Sequence, residues 1–185
     1  MYPLIAISVL TLAICLERLI FWVPLRSPAR RGVMRRIHDA LRKGDARGAR
    51  SIAEGDGSPF GEVVRALVEG ESAALEAVER QRPRLERFLA TLSTIITAAP
   101  LLGILGTVTG IIQSFNLLEE RSNLTEPGQI AGGIAQALLT TAAGLIVALV
   151  ALFPYMALRH QAARALGVME TLLAAAREGR ARGGG

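Results

Sequence analysis

Residues 88–118 read FLATLSTIITAAPLLGILGTVTGIIQSFNLL, and residues 127–158 read PGQIAGGIAQALLTTAAGLIVALVALFPYMAL. Neither stretch holds a charged residue, over 31 and 32 positions respectively. A helix crosses the hydrocarbon core of a bilayer with ~20 apolar residues. No soluble helix needs thirty uncharged residues in succession. Both stretches therefore predict membrane-crossing helices. The loop between them centres near Leu124, and Thr107 and Thr141 each lie 17 residues from that centre. If the two helices are antiparallel, the two hydroxyls share one depth.

Working outward, a third span is predicted at the N-terminus. Met1–Leu16 is uncharged, Glu17 and Arg18 follow, and Leu19–Leu25 is apolar again. A secretory signal would need a basic first segment and a small-residue cleavage site. Neither is present, so a retained helix is expected. Between Val23 and Arg87 there are 14 Lys and Arg residues, five more follow from Arg159, and the loop Glu119–Glu126 has only Arg121 against three glutamates. Basic segments stay on the cytoplasmic side. The expected topology is three spans, N-terminus out and C-terminus in, with an acidic outer loop.

The expected fold class is thus an all-α integral membrane protein with long cytoplasmic helical extensions, assembled as a ring. Its segments are 1–25 (first span), 26–90 (cytoplasmic helical region), 91–118 (second span), 119–129 (periplasmic loop), 130–158 (third span) and 159–185 (tail helix and disordered end). Within the cytoplasmic region, Gly55–Gly57 marks a break, and Ser58-Pro59 starts a helix over Phe60–Glu69. Glu71–Leu92 is expected to run on into the second span, with a kink or junction at Pro83.

The net charge of +5 accompanies a composition that is 51% hydrophobic. The basic residues flank apolar spans and lack interleaved aromatics, so no nucleic-acid partner is expected. Cys15 is the only cysteine and reads as packing. His38 and His160 stand alone, so neither a metal site nor a cofactor is expected. Gly103–Gly110 is glycine-rich but has no Lys-Ser/Thr ending, so it is not a phosphate loop. No catalytic constellation appears, and an enzyme is not expected.

Both central spans are rich in small residues, which let helix backbones approach closely in a membrane. Gly106 and Gly110 form one such pair, and Gly133 is another packing glycine. Three helices have too little surface to bury all of these, so self-association is expected. At 100° per residue, Gly103, Thr107, Gly110 and Ser114 share one face, and Ala137, Thr141, Gly144 and Ala148 share another. In a ring of subunits these faces would line a narrow central space. The other reading is that each threonine merely bonds its own i−4 carbonyl. Gln113, Gln136 and Thr140 are further polar groups at membrane depth, which are functional candidates by default. Gln136 points about 140° away from Thr141 on a helix of 3.6 residues per turn. It reads equally as pore lining or as glue between helices. A proton path needs a titratable group, and the deep parts of these spans carry neither carboxylate nor histidine.

These stretches resemble the ExbB/TolQ/MotA proton-channel family. The resemblance rests on APLLGILGTVTGIIQSF from Ala99, on GGIAQALLTTAAGLIVALVALFPY from Gly132, on CLERL ending the first span and on RLERFLATLSTI entering the second. Three spans fit the ExbB and TolQ branch, ExbB most closely. The resemblance implies a homopentamer around the membrane helices of a dimeric ExbD- or TolR-like partner whose aspartate carries the proton. It also implies that Thr107 and Thr141 surround that aspartate, and that proton passage drives rotation coupled to TonB- or TolA-like proteins from the bacterial inner membrane. One departure is Gln136, where well-known members carry glutamate; an amide cannot titrate. The rival readings are a non-conducting membrane scaffold and a TolQ-like or gliding-type motor subunit. A solute transporter fits less well, since no internal repeat or broken helix is seen.

Overall fold

The computed structural model describes residues 2–25, 28–120 and 127–183. The described residues form seven helices: α1 (Tyr2–Leu25), α2 (Pro28–Arg42), α3 (Ala46–Ala53), α4 (Pro59–Glu69), α5 (Glu71–Leu85), α6 (Leu89–Glu120) and α7 (Pro127–Gly183). No strand occurs among them. Stretches within α1, α6 and α7 are long and apolar enough to cross a membrane. The heart of the acidic loop, residues 121–126, and the last two glycines lie outside the described residues. Two compact units result, Met1–Leu16 with Phe88–Ala157, and Glu17–Arg87 with Leu158–Gly185.

The first unit inverts the soluble pattern. Its large apolar side chains point outward: Leu101 is 61% exposed, Val9 63% and Phe153 73%. Its interior is built from small residues, with Ala99, Ala137 and Ala148 buried. In water such a surface would cost about 1.5–3 kcal/mol per large side chain; against lipid tails it costs nothing. The three helices meet where Leu4 of α1 packs on Ala99 of α6 and Ala148 of α7, with Leu102, Ala143 and Val147 around them.

The second unit follows the soluble rule. Ile37, Val63, Val64, Ala74 and Met169 have essentially no exposure. Helix starts are capped as their sequences require. The Asp45 carboxylate accepts from the Gly48 N–H at 2.8 Å, and the Ser58 hydroxyl accepts from the Gly61 N–H at 3.4 Å with Pro59 in the first turn. The α3–α4 turn is pinned by Asp56. Its carboxylate accepts from Arg30 Nη1 at 2.9 and 3.0 Å, from the Ser58 N–H at 3.0 Å and from the Ser58 hydroxyl at 2.8 Å. Partial burial pushes the Asp56 carboxyl up, but the Ser58 and Arg30 bonds outweigh it and hold the group below its ordinary value. In the second half of α1, Arg18 is only 2% exposed. It donates to Glu17 at 2.7 Å and to the Arg84 carbonyl at 3.2 Å, and its guanidinium lies 4.5 Å from the Phe21 ring centre. It is paired in place and does not reach for water.

Glu71–Leu92 is interrupted, as the kink or junction expected at Pro83 implies, but the interruption lies just beyond the proline. α5 ends at Leu85 and α6 begins at Leu89. Pro83 has no N–H to offer the preceding turn, and the chain leaves the helical path just beyond it, with Phe88 at φ 67°. That left-handed conformation costs a non-glycine residue roughly 1–2 kcal/mol.

Candidate functional site

In the first unit α6 and α7 run antiparallel along a seam of near-zero thickness. A methyl group added at Gly144 would sit 2.5 Å from the Ala99 carbonyl oxygen, and one at Gly103 would sit 3.0 Å from Thr141 Cα. Added methyls at Gly106, Gly110 and Gly133 would meet Thr140, Ala137 and Ser114 respectively. Contacting residues lie at roughly matching distances from the loop centre, Thr107 and Thr141 each 17 residues from position 124, as an antiparallel pair requires. Without a hydrophobic force between helices in lipid, close backbone approach and hydrogen bonds hold such a seam.

Two of the threonines face each other in it. The Thr107 and Thr141 hydroxyls are hydrogen-bonded together, and either can be the donor. Thr107 also reaches the Gly103 carbonyl of its own helix at 3.3 Å and the Ala137 carbonyl across the seam at 3.1 Å. Thr141 donates across the seam to Gly103 at 3.0 Å. Thr140, buried behind them, reaches Gly103 at 3.2 Å and Ala137 at 2.7 Å. Thus three hydroxyls converge on the Gly103 carbonyl, whose oxygen has two lone pairs. They cannot all donate to it at once, and the Ala137 carbonyl and the neighbouring hydroxyls take the surplus protons. The cluster can redistribute donors among acceptors without changing its charge. The i−4 bond is therefore one of several options for Thr107 and is not what Thr141 uses.

The small faces read from the helix wheel are occupied within the single chain. Gly103, Ser114, Ala137, Gly144 and Ala148 are buried, and Gly110 is half-buried against Ala137. Ser114 bonds its own i−4 carbonyl, Gly110, at 3.0 Å. Thr107 and Thr141 stay half-exposed at the edge of the seam, while Gln113 and Gln136 are exposed. The structure thus brings together Thr107, Thr140 and Thr141 and leaves both glutamines apart from them. The sequence reading missed the Gly103 and Ala137 carbonyls as shared acceptors. Backbone acceptors have no residue-type signal; only the glycine and alanine that open them to a neighbouring helix hint at them. No group of three or more potential metal ligands occurs among the described residues.

The MotA/TolQ/ExbB proton channel family profile matches residues 65–171. A Synechocystis sp. protein named as biopolymer transport protein ExbB-like 1 is 39% identical over 166 residues, covering 84% of this chain and 65% of that protein. ExbB-like 3 of the same organism is 33% identical, covering 81% of this chain and 75% of that protein. The Tol-Pal system protein TolQ of Pseudomonas aeruginosa is 38% identical over 91 residues, covering 49% of this chain and 39% of its own length.

Proposed function

Because the chain belongs to the MotA/TolQ/ExbB proton channel family, and is a membrane protein by its three apolar helices, we propose that it is a proton-channel and stator subunit of a motor in the bacterial inner membrane. The carrying observation is the hydroxyl cluster of Thr107, Thr140 and Thr141 on the Gly103 carbonyl, set in spans with neither carboxylate nor histidine. The acid comes from another chain, an aspartate on a membrane helix of an ExbD- or TolR-like dimer. Five copies of this chain surround that dimer, with N-termini out, C-termini in, and segments 26–90 and 159–185 in the cytoplasm.

The chemistry follows from donor counting. A protonated acid donates into a threonine oxygen while the threonines keep their backbone bonds. A carboxylate instead accepts from Thr107 and Thr141, which give up Ala137 and Gly103 to serve it. Both protonation states find partners, so the acid can load and unload without an uncompensated buried charge. Gln136 takes part only as a hydrogen-bonding group. Proton passage turns the ring and its partner relative to each other, and that motion energises outer-membrane import through a TonB-like protein; the TolQ likeness over 91 residues favours envelope work through a TolA-like protein as the second reading.

The test is proton flux in vesicles holding this chain with its partner. Flux that vanishes with an Asp→Asn partner and falls sharply in Thr107→Val/Thr141→Val supports the channel. An assembled complex with no flux under any condition identifies a scaffold.

A further inference from the structure

The second unit contains an open cleft that the proposed proton path does not use. Its volume is about 350 Å³, and it is lined by Trp22 and Leu25 of α1, Arg31 of α2, Phe60 of α4, and Gln161 and Arg164 of α7. Its walls are of two kinds. Trp22, Leu25 and Phe60 make an apolar side. Arg31 and Arg164 add two guanidinium groups, and neither has an ion pair or hydrogen bond among the described residues. Trp22 is 5% exposed, yet its indole N–H has no hydrogen-bond partner among the described residues, and neither has the Gln161 side-chain carbonyl. Buried polar groups are normally paired, and a buried indole N–H normally finds an acceptor. Arg31 and Arg164 are exposed to solvent and make one side of the cleft basic, next to its apolar side.

Position narrows the ligand. Trp22 and Leu25 close the first membrane-crossing stretch, Pro3–Leu25. Tryptophan favours the level of the lipid headgroups, and basic pockets between helices at that level take up anionic headgroups. The apolar wall is more than inorganic phosphate alone would cover. We propose that this cleft binds the phosphate of an anionic phospholipid, with Arg31 and Arg164 on the phosphate oxygens and with Trp22, Leu25 and Phe60 along the glycerol and first methylenes. The proposal requires that α1 end at a membrane surface and does not depend on proton conduction.

Trp22 is the only tryptophan in the chain, so its fluorescence reports on the cleft directly. The full-length chain is reconstituted into phosphatidylcholine vesicles containing either phosphatidylglycerol or phosphatidylcholine with brominated acyl chains at equal mole fraction. Brominated phosphatidylglycerol should quench Trp22 more strongly, and the preference should fall about five-fold for each of Arg31→Gln and Arg164→Gln. Arg31→Lys should retain most of it, with circular dichroism confirming that each variant is folded. If millimolar inorganic phosphate shifts Trp22 emission and erases the advantage of phosphatidylglycerol, a soluble phosphate is the ligand and the lipid assignment is overturned. Equal quenching by the two lipids, or a preference that survives the double substitution, overturns the site.

Discussion

Gly144→Ala should weaken the α6–α7 seam, whereas Gly167→Ala in the same helix should not. The added methyl at position 144 lies 2.5 Å from the Ala99 carbonyl oxygen and 3.1 Å from Gly103 Cα. Ordinary van der Waals contact begins near 3.4 Å, so the two backbones must part by about 1 Å, and neither atom is on a side chain that can swing away. Overpacking of this kind costs roughly 1–3 kcal/mol. Alanine recovers up to ~1 kcal/mol of helix propensity over glycine, leaving a net loss of about 0–2 kcal/mol. At Gly167 a methyl meets nothing within 4 Å, so only the propensity gain of up to ~1 kcal/mol remains. The two variants should therefore differ by about 1–3 kcal/mol. Equilibrium unfolding of the full-length chain in mixed SDS micelles, followed by circular dichroism, measures both. If Gly144→Ala is at least as stable as Gly167→Ala, the seam is not as closely packed as described.

Further outcomes are expected. Thr107→Val and Thr141→Val should be coupled by about 0.5–3 kcal/mol in a double-mutant cycle of unfolding, because each hydroxyl is the other's partner; strict additivity would mean the hydroxyls do not meet. Asp56 is held below its ordinary pKa, so it stabilises the fold above its unfolded value of ~3.9 and loses that contribution as pH falls through the lower, folded value. Unfolding titrations from pH 7 downward should therefore show an acid-sensitive component in the wild type that Asp56→Asn lacks, and identical profiles would contradict the assignment. Arg18→Ala, which removes a buried guanidinium bonded to Glu17 and the Arg84 carbonyl, should cost roughly 1–3 kcal/mol. Arg87→Ala, at an exposed ion pair, should cost less than about 1 kcal/mol, and thermal unfolding of the two variants side by side checks the order.

The three apolar helices were legible because charge is excluded from a bilayer whatever its neighbours are. The shared depth of residues 107 and 141 was legible too, since an antiparallel pair about one loop brings equidistant positions to one level; that their hydroxyls bond each other was not. The start of α4 could be read because a serine cap and a first-turn proline act locally. That the helix is interrupted near Pro83 was legible, but its place at Glu86–Phe88 was not. Proline marks a weak point, but where the chain turns aside depends on which residue tolerates a left-handed backbone, and nothing in the letters selects Phe88.

What the sequence determined by itself is the set of membrane-crossing segments and the depth of each polar group, because both follow from counting along a helix. What only the tertiary structure decided is which faces meet. A helix wheel gives angles without neighbours, so it could not tell an open lumen from a closed seam. The packed chain places the glycines and alanines against each other, gathers three hydroxyls on the Gly103 carbonyl, and leaves Thr107 and Thr141 at the edge. The basic cleft at Trp22 was beyond any sequence pattern for the same reason. Its walls come from four helices, with Arg31 and Arg164 more than a hundred residues apart, and only packing makes them neighbours.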